Sequence, residues 1–113
     1  MTKYDIETRT VEMLKTVFDP EIPVNVYDLG LIYRIEVTET DEKTDNGDLK
    51  FDIAVDMTLT APNCPAADFI MEDIQQKLDA ISGVRTATVN LVFEPEWNKD
   101  MMSEEAKLDL GFM

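Results

Sequence analysis

Apolar residues recur along this chain at two different spacings in turn, and the succession of those spacings predicts the order of its elements. Residues 3–18 have helical spacing, and Thr2 or Asp5 can cap the start of the helix. Pro20 and Pro23 end this helix, because proline disfavours helical geometry in the residue before it. The predicted apolar face consists of Ile6, Thr10, Met13, Leu14 and Val17.

Apolar residues then occur at every second position, which is typical of strands that bury one face. A first strand begins at Leu31, and a second covers residues 49–60 with its apolar positions pointing one way. Residues 40–48 between them are polar, and Asn46-Gly47 is a strong turn signal. We therefore expect the two strands to pair as an antiparallel hairpin.

A second helical stripe follows the hairpin. Pro65 suits its first position, and Gly83 is expected to end it as a left-handed cap. Residues 84–94 alternate again, which predicts a third strand. In the tail, residues 103–107 predict a short capped helix that Gly111 stops.

The predicted fold class is therefore α+β. We expect a two-layer α/β sandwich in α-β-β-α-β order, with a short C-terminal helical tail and the helices on one side of the sheet. With 113 residues and no internal repeat or linker, the chain is expected to form one domain, residues 1–113. It contains one cysteine, no apolar run of about 18 residues and a polar N-terminus, so we expect a cytoplasmic protein.

The charge balance narrows the classes of partner. Twenty-four acidic residues against ten basic residues give a formal net charge of −14. This argues against nucleic acid, whose binding requires a basic surface, and against docking on anionic membranes. The charge fits either solubility through mutual repulsion or a surface that meets basic partners or cations.

Cys64 is the only cysteine, and it lies in the run that joins the second strand to the second helix. Unpaired N–H groups at a helix start favour the thiolate, which is the form that attacks electrophiles and binds metals. Asp56, Thr58 and Thr60 lead toward Cys64 along the outer face of the strand. The alternative is that both threonines face water and that Cys64 is a small buried apolar residue.

A second polar cluster, Asp19, Glu21, Tyr27 and Asp28, surrounds the prolines before the first strand. Asp28 could be a hard oxygen ligand or a base. Aspartates in such loops more often stabilise turns by accepting from nearby backbone N–H groups, and the residues alone favour that interpretation. Gly30 is expected to allow an unusual backbone angle or a close approach.

The sequence lacks the residues that several common kinds of active or binding site require. There is no phosphate-cradling glycine loop and no paired-cysteine zinc signature, and without histidine a Ser-His-Asp set is excluded. One cysteine cannot complete a four-thiolate cluster site. An iron–sulfur cluster would need a second subunit, a partner protein or a small thiol to supply the missing ligands.

Three blocks of the sequence resemble one known family. Residues 19–33 (DPEIPVNVYDLGLIY) resemble the opening signature of the SufT/PaaD-like family, which includes eukaryotic cytosolic iron–sulfur targeting factors. Residues 57–65 (MTLTAPNCP) resemble its reactive-cysteine motif. Residues 94–97 (EPEW), 102–107 (MSEEAK) and 110–111 (LG) are similar to its closing segment. Glu96 departs from the pattern, since a second proline is common there.

The resemblance implies a factor for iron–sulfur cluster assembly that hands or targets clusters to client apoproteins. The chain lacks the extra N-terminal region and C-terminal cysteines of some relatives, so it looks closer to the bacterial stand-alone form than to the phenylacetate-pathway member. The resemblance makes Cys64 the metal ligand and holder of a transient iron–sulfur cluster. The candidate site comprises Cys64, Thr58, Thr60, Asp28, Asp19, Glu21 and Asn63.

Three functional hypotheses follow. The first is a non-enzymatic cluster carrier that uses Cys64, with a scaffold or client apoprotein as partner and a homodimer as one way to complete the ligand set. The second is an adaptor, including a PaaD-like role beside a phenylacetate oxygenase. It never touches the cluster and recognises partners through its acidic surface and a tail of Trp97, Met101 and Met102. The third, a thiol enzyme, ranks last because no histidine is present to act as base.

Overall fold

The computed structural model describes residues 2–19, 22–60 and 67–111. Its elements confirm the predicted order and the α+β class, with a three-stranded sheet and a short C-terminal helix. In chain order they are α1 (Lys3–Leu14), β1 (Ile32–Lys43), β2 (Leu49–Met57), α2 (Ala67–Asp79), β3 (Val84–Leu91), a 3-10 turn (Lys99–Met101) and α3 (Glu104–Asp109). No helix in these ranges is both long and apolar enough to cross a bilayer.

Helix α1 starts as predicted and ends earlier. The Thr2 hydroxyl accepts from the backbone N–H of Asp5, and the Asp5 carboxylate accepts from the N–H of Thr2, which forms a capping box. After Leu14 the backbone hydrogen bonds join residues three positions apart instead of four, as in the bond from the Val17 N–H to the Leu14 carbonyl at 3.2 Å. The chain therefore leaves the helix before residue 18, and Val17 is buried outside it.

Strands β1 and β2 form the predicted antiparallel hairpin. Gly47 has a φ of 85°, which fits the turn expected at Asn46-Gly47. β1 runs on to Lys43, through residues whose polarity indicated a loop. Thr40 explains the difference, because it is buried and its hydroxyl donates to the carbonyl of Lys50 at 2.9 Å.

The third strand pairs parallel to β2, so the sheet order is β1-β2-β3 with β2 in the centre. Helix α2 forms the crossover between the two parallel strands. It also covers part of the outer edge of β3. The Ala87 N–H donates to Asp79 Oδ1 at 2.9 Å, and the Ala87 carbonyl accepts from Gln75 Nε2 at 2.8 Å. These bonds leave fewer free backbone groups at that edge for pairing with another chain.

The core lies between the helices and one face of the sheet. Alternate residues of β2 point into it, and α1 and α2 each contribute one stripe of side chains, as predicted. Burying such side chains stabilises the fold by about 1.5–3 kcal/mol each. The fully buried members include Ile6, Leu14, Ile53, Val55, Met57, Ile70, Ile74 and Leu78.

Residues 92–102, which we call the C-terminal segment, pack back onto the loop before β1. Trp97 Nε1 donates to the Leu29 carbonyl at 2.6 Å. Gly30 has a φ of 80°, and a Cβ there would overlap the backbone carbonyl of Met101. The close approach expected at Gly30 is therefore confirmed. Met102 is buried, so of the two methionines that the adaptor hypothesis assumed to be exposed only Met101, which is half-buried, stays accessible.

We expect Gly30→Ala to lower the free energy of unfolding more than Gly47→Ala does. Both glycines have positive φ, 80° and 85°, so alanine meets left-handed strain of about 1–2 kcal/mol at each. Only at Gly30 does the new methyl group overlap another backbone group, which adds about 1–3 kcal/mol. Urea denaturation measures both values, and equal losses would contradict the packing of the C-terminal segment.

Candidate functional site

A pocket of about 250 Å³ opens where β2 and β3 end. Thr58, Leu59 and Thr60 reach it from the end of β2, and Phe93, Glu96 and Trp97 reach it from the chain after β3. Parallel strands bring their carboxyl ends to the same edge of a sheet, which is the usual place for ligand sites in such folds. We call this feature the strand-end pocket.

Thr58 lies on the outer face of the sheet, as the alternation predicts, but it does not face water. Only 1% of its surface is exposed. Its backbone N–H donates to the carbonyl of Leu31 at 2.8 Å, which ties the end of β2 to the start of β1. The simple alternative for Thr58, a solvent-facing strand residue, is therefore wrong, whereas Thr60 is half-buried at the pocket.

Tyr33 connects β1 to the C-terminal segment. The pairing of β1 with β2 is irregular between Ile32 and Arg34, so Tyr33 is an extra residue there. Its hydroxyl donates to the carbonyl of Pro95 at 2.7 Å and lies 3.5 Å from Met101 Sδ. Burial raises the pKa of Tyr33, and a hydrogen bond with the Thr58 side chain partly opposes that rise.

The two aspartates of the predicted acidic cluster hold the loop before β1. Asp19 is buried, and its Oδ1 accepts from the N–H of Ile22 at 3.1 Å. Asp28 Oδ2 accepts from Asn25 Nδ2 at 2.8 Å, while Asn25 Oδ1 accepts from the Asp28 N–H at 2.9 Å. Both contacts are turn contacts, and neither aspartate lines the strand-end pocket.

Asp56 was expected in line with Thr58 and Thr60, but its carboxylate is engaged elsewhere. Oδ2 accepts from Arg34 Nε at 3.1 Å, and Oδ1 accepts from Asn90 Nδ2 at 3.1 Å. This carboxylate does not line the strand-end pocket, whereas both threonines do.

Three predicted site residues, Cys64, Asn63 and Glu21, lie outside the described residues, and the metal-ligand assignment of Cys64 stays a prediction. Within the described ranges, no group of three or more His, Cys, Asp or Glu side chains could hold a metal ion.

Phe93, Glu96 and Trp97 form a pocket wall that the sequence analysis did not assign as site residues. A signal for them was available. A strand, a crossover helix and a second strand predict parallel pairing, and parallel pairing brings the residues after β3 beside those after β2.

Residues 7–91 match the family described as iron–sulfur cluster assembly protein. The chain belongs to this family. A domain of unknown function from Bacillus anthracis (DUF59), whose crystal structure is known, is similar with a TM-score of 0.78 at 30% identity, covering 98% of this chain and 96% of that one.

Two relatives carry functional names. An Fe-S protein maturation auxiliary factor of Porphyromonas gingivalis is 59% identical, over 95% of this chain and 92% of its own length. The Fe-S protein maturation auxiliary factor SufT of Staphylococcus aureus is 37% identical, over 84% of this chain and 97% of its own. The SufT-like resemblance drawn from the sequence is thereby confirmed.

We expect Tyr33→Phe to reduce the free energy of unfolding by about 0.5–1.5 kcal/mol at neutral pH, because the Pro95 carbonyl loses its donor. The effect depends on pH. The pKa of Tyr33 in the folded state is above its ordinary value of 10.0, so its contribution is complete below pH 10.0 and is lost as the pH rises through the folded-state pKa. Urea titrations should show the gap between wild type and Tyr33→Phe narrowing above pH 10.0.

Tyr4→Phe is the control for this measurement, since Tyr4 is exposed. A gap that stays constant across the alkaline range would contradict the raised pKa of Tyr33 in the folded state.

Proposed function

We propose that this protein is a non-enzymatic factor for iron–sulfur cluster maturation that works in the cytoplasm and carries clusters to apoproteins through Cys64. Membership of the iron–sulfur cluster assembly family supports the general role. The names of the relatives, Fe-S protein maturation auxiliary factors, agree with a helper rather than an enzyme. The cluster is the cargo of the protein in this proposal.

The strand-end pocket is the observation that carries the proposal. Thr60 is the last of the pocket residues that follow β2, and Cys64 comes four positions after it in the sequence. Covalent geometry limits the Cα of Cys64 to within about 14 Å of the Cα of Thr60. A thiolate that meets this pocket would have the half-buried hydroxyl of Thr60 available as a hydrogen-bond donor, because the Thr58 side chain already bonds Tyr33.

The lining of the pocket suits a group that water attacks. Leu59, Phe93 and Trp97 give it an apolar wall, and Glu96 adds one carboxylate. The indole N–H of Trp97 already donates to Leu29, so the ring is held as part of that wall. Hydroxyl donors in partly apolar surroundings stabilise thiolate and sulfide charge more than they do in bulk water.

A single protein thiolate favours transfer over storage. A whole cluster takes four thiolate ligands from the protein in the common sites, so one cysteine leaves the other three positions to a scaffold, a client or a small thiol. The cluster then moves by exchange of one thiolate for another at each iron, and no oxidant or reductant is consumed. The absence of histidine agrees with a role that needs no general base.

Anaerobic reconstitution with ferrous iron, sulfide and glutathione tests the proposal. We expect the wild-type protein to gain cluster absorbance and to pass the cluster to an apo-ferredoxin. Cys64→Ala should lose most of that absorbance, because the only protein thiolate is gone.

Ser82→Ala is the matched control, since Ser82 is an exposed small residue on the turn after α2. Absorbance of Cys64→Ala equal to that of wild type, or a wild-type protein that stays colourless, would count against cluster binding through Cys64.

An adaptor that never touches the cluster is the second candidate. Phe69 favours it, because this side chain is 74% exposed in the first turn of α2 beside acidic residues. An exposed aromatic ring with negative neighbours suits a basic protein surface. Together with the net charge of −14, it describes a contact surface rather than a catalytic site.

For the adaptor, we expect a purified cluster scaffold protein to be retained equally by wild type and Cys64→Ala and to be released at high salt, where screening weakens charge contacts. Phe69→Ser should weaken retention, and Tyr4→Ser serves as control because Tyr4 is equally exposed, at 74%. Retention that requires Cys64 would favour the carrier.

A further inference from the structure

An open groove of about 630 Å³ lies beside Asp56, whose side chain is on the face of β2 that points away from the core. Its apolar lining comes from Ile32 and Tyr33 of β1 and from Val92, Pro95 and Met101 of the C-terminal segment. All of these residues are described, and none belongs to the strand-end pocket. The volume is within the range of about 300–1,000 Å³ that is typical of ligand sites.

Gly30 and two carboxylates, Asp56 and Glu94, also line the groove. Asp56 is already satisfied by Arg34 and Asn90. Glu94 is exposed and makes no hydrogen bond or ion pair to another described residue. No lysine or arginine is among the described residues that line the groove, so Glu94 offers a negative charge that none of them compensates, beside an apolar floor.

We infer that this groove binds an extended segment of a partner protein, in which an apolar side chain precedes or follows a lysine or arginine. The apolar side chain packs against Ile32, Val92 and Met101, and the cation pairs with Glu94. A second copy of this chain is a poor occupant, because each copy has a net charge of −14 and the two repel.

The groove and the strand-end pocket share one stretch of chain. Val92, Glu94 and Pro95 face the groove, whereas Phe93, Glu96 and Trp97 face the pocket. A segment bound in the groove therefore lies directly behind the wall of the pocket. That the segment belongs to a cluster scaffold or client rests on the proposed function, but the preference for an apolar and basic segment does not.

The test uses an acetylated peptide of alternating leucine and lysine and a matched peptide with glutamate in place of each lysine. Titration of the nitrogen-15-labelled full chain should shift the amide signals of Ile32, Val92 and Glu94 with the lysine peptide only. Glu94→Lys should lower the affinity for the lysine peptide by about fivefold or more, and it should allow the glutamate peptide to bind. Glu12→Lys makes the same charge change on α1 and should leave the affinity unchanged.

Three results would overturn the inference. One is shifts spread over the acidic surface, with Glu12→Lys as damaging as Glu94→Lys. Another is sedimentation that shows a dimer of the wild type and a monomer of Glu94→Lys. That result would make a second copy of the chain the occupant of the groove. The third is no shift with either peptide. Glu94→Gln removes the charge of an exposed side chain and keeps its size. It checks that weaker peptide binding comes from the lost charge and not from loss of the folded structure.

The same titration in a Cys64→Ala background separates this inference from the carrier proposal. Peptide binding should be unchanged there, because the inference uses only the apolar residues of the groove and the carboxylate of Glu94. A failed cluster reconstitution together with specific peptide binding would remove the carrier and leave the groove. Successful reconstitution without specific peptide binding would remove the groove and leave the carrier.

Discussion

The parallel pairing of β2 with β3 brings two distant parts of the chain to one edge of the sheet. β2 is the central strand, held on one side by the hairpin partner and on the other by β3, and its inward side chains form the middle of the core. Because the strands run in the same direction, Thr58 and Thr60 lie beside the residues that follow Leu91. An antiparallel third strand would have put those residues at the opposite end.

The C-terminal segment gives this edge its shape. It is held by a small number of specific contacts with the loop before β1 and with β1 itself. These are the Trp97 indole on the Leu29 carbonyl, the Tyr33 hydroxyl on the Pro95 carbonyl, and the bare backbone of Gly30 against Met101. Each hydrogen bond contributes only about 0.5–1.5 kcal/mol, so the wall between pocket and groove depends on all of them together.

The loop before β1 therefore has a structural role, in line with the turn contacts that the residues alone favoured for its aspartates. Asp19 and Asp28 hold the turns. The backbone carbonyl of Leu29 accepts from Trp97 of the C-terminal segment, and that of Asp28 accepts from Ser103, just after the segment. The family signature in this loop is explained by packing as far as the described residues go. The division of labour that we propose places cluster handling at the strand-end pocket and partner recognition on the opposite side of its wall.

Local rules in the sequence determined the elements and several of their ends. Helical spacing predicted α1 and α2, alternation predicted the three strands, and Asn46-Gly47 predicted the hairpin. These signals work between near neighbours, as does the positive φ of Gly83 that ends the α2 region. The SufT-like resemblance rested on motifs in the same linear order, and it too was confirmed.

Contacts between residues far apart in sequence could not be derived in this way. The burial of Thr58 and Met102, the strand geometry at Thr40 and the wall formed by Trp97 each depend on a partner from another element. Tyr33 and Pro95 are 62 positions apart, and no periodicity links them. Only the tertiary structure decided these features, because the burial of a side chain is set by what covers it and not by its own place in a pattern.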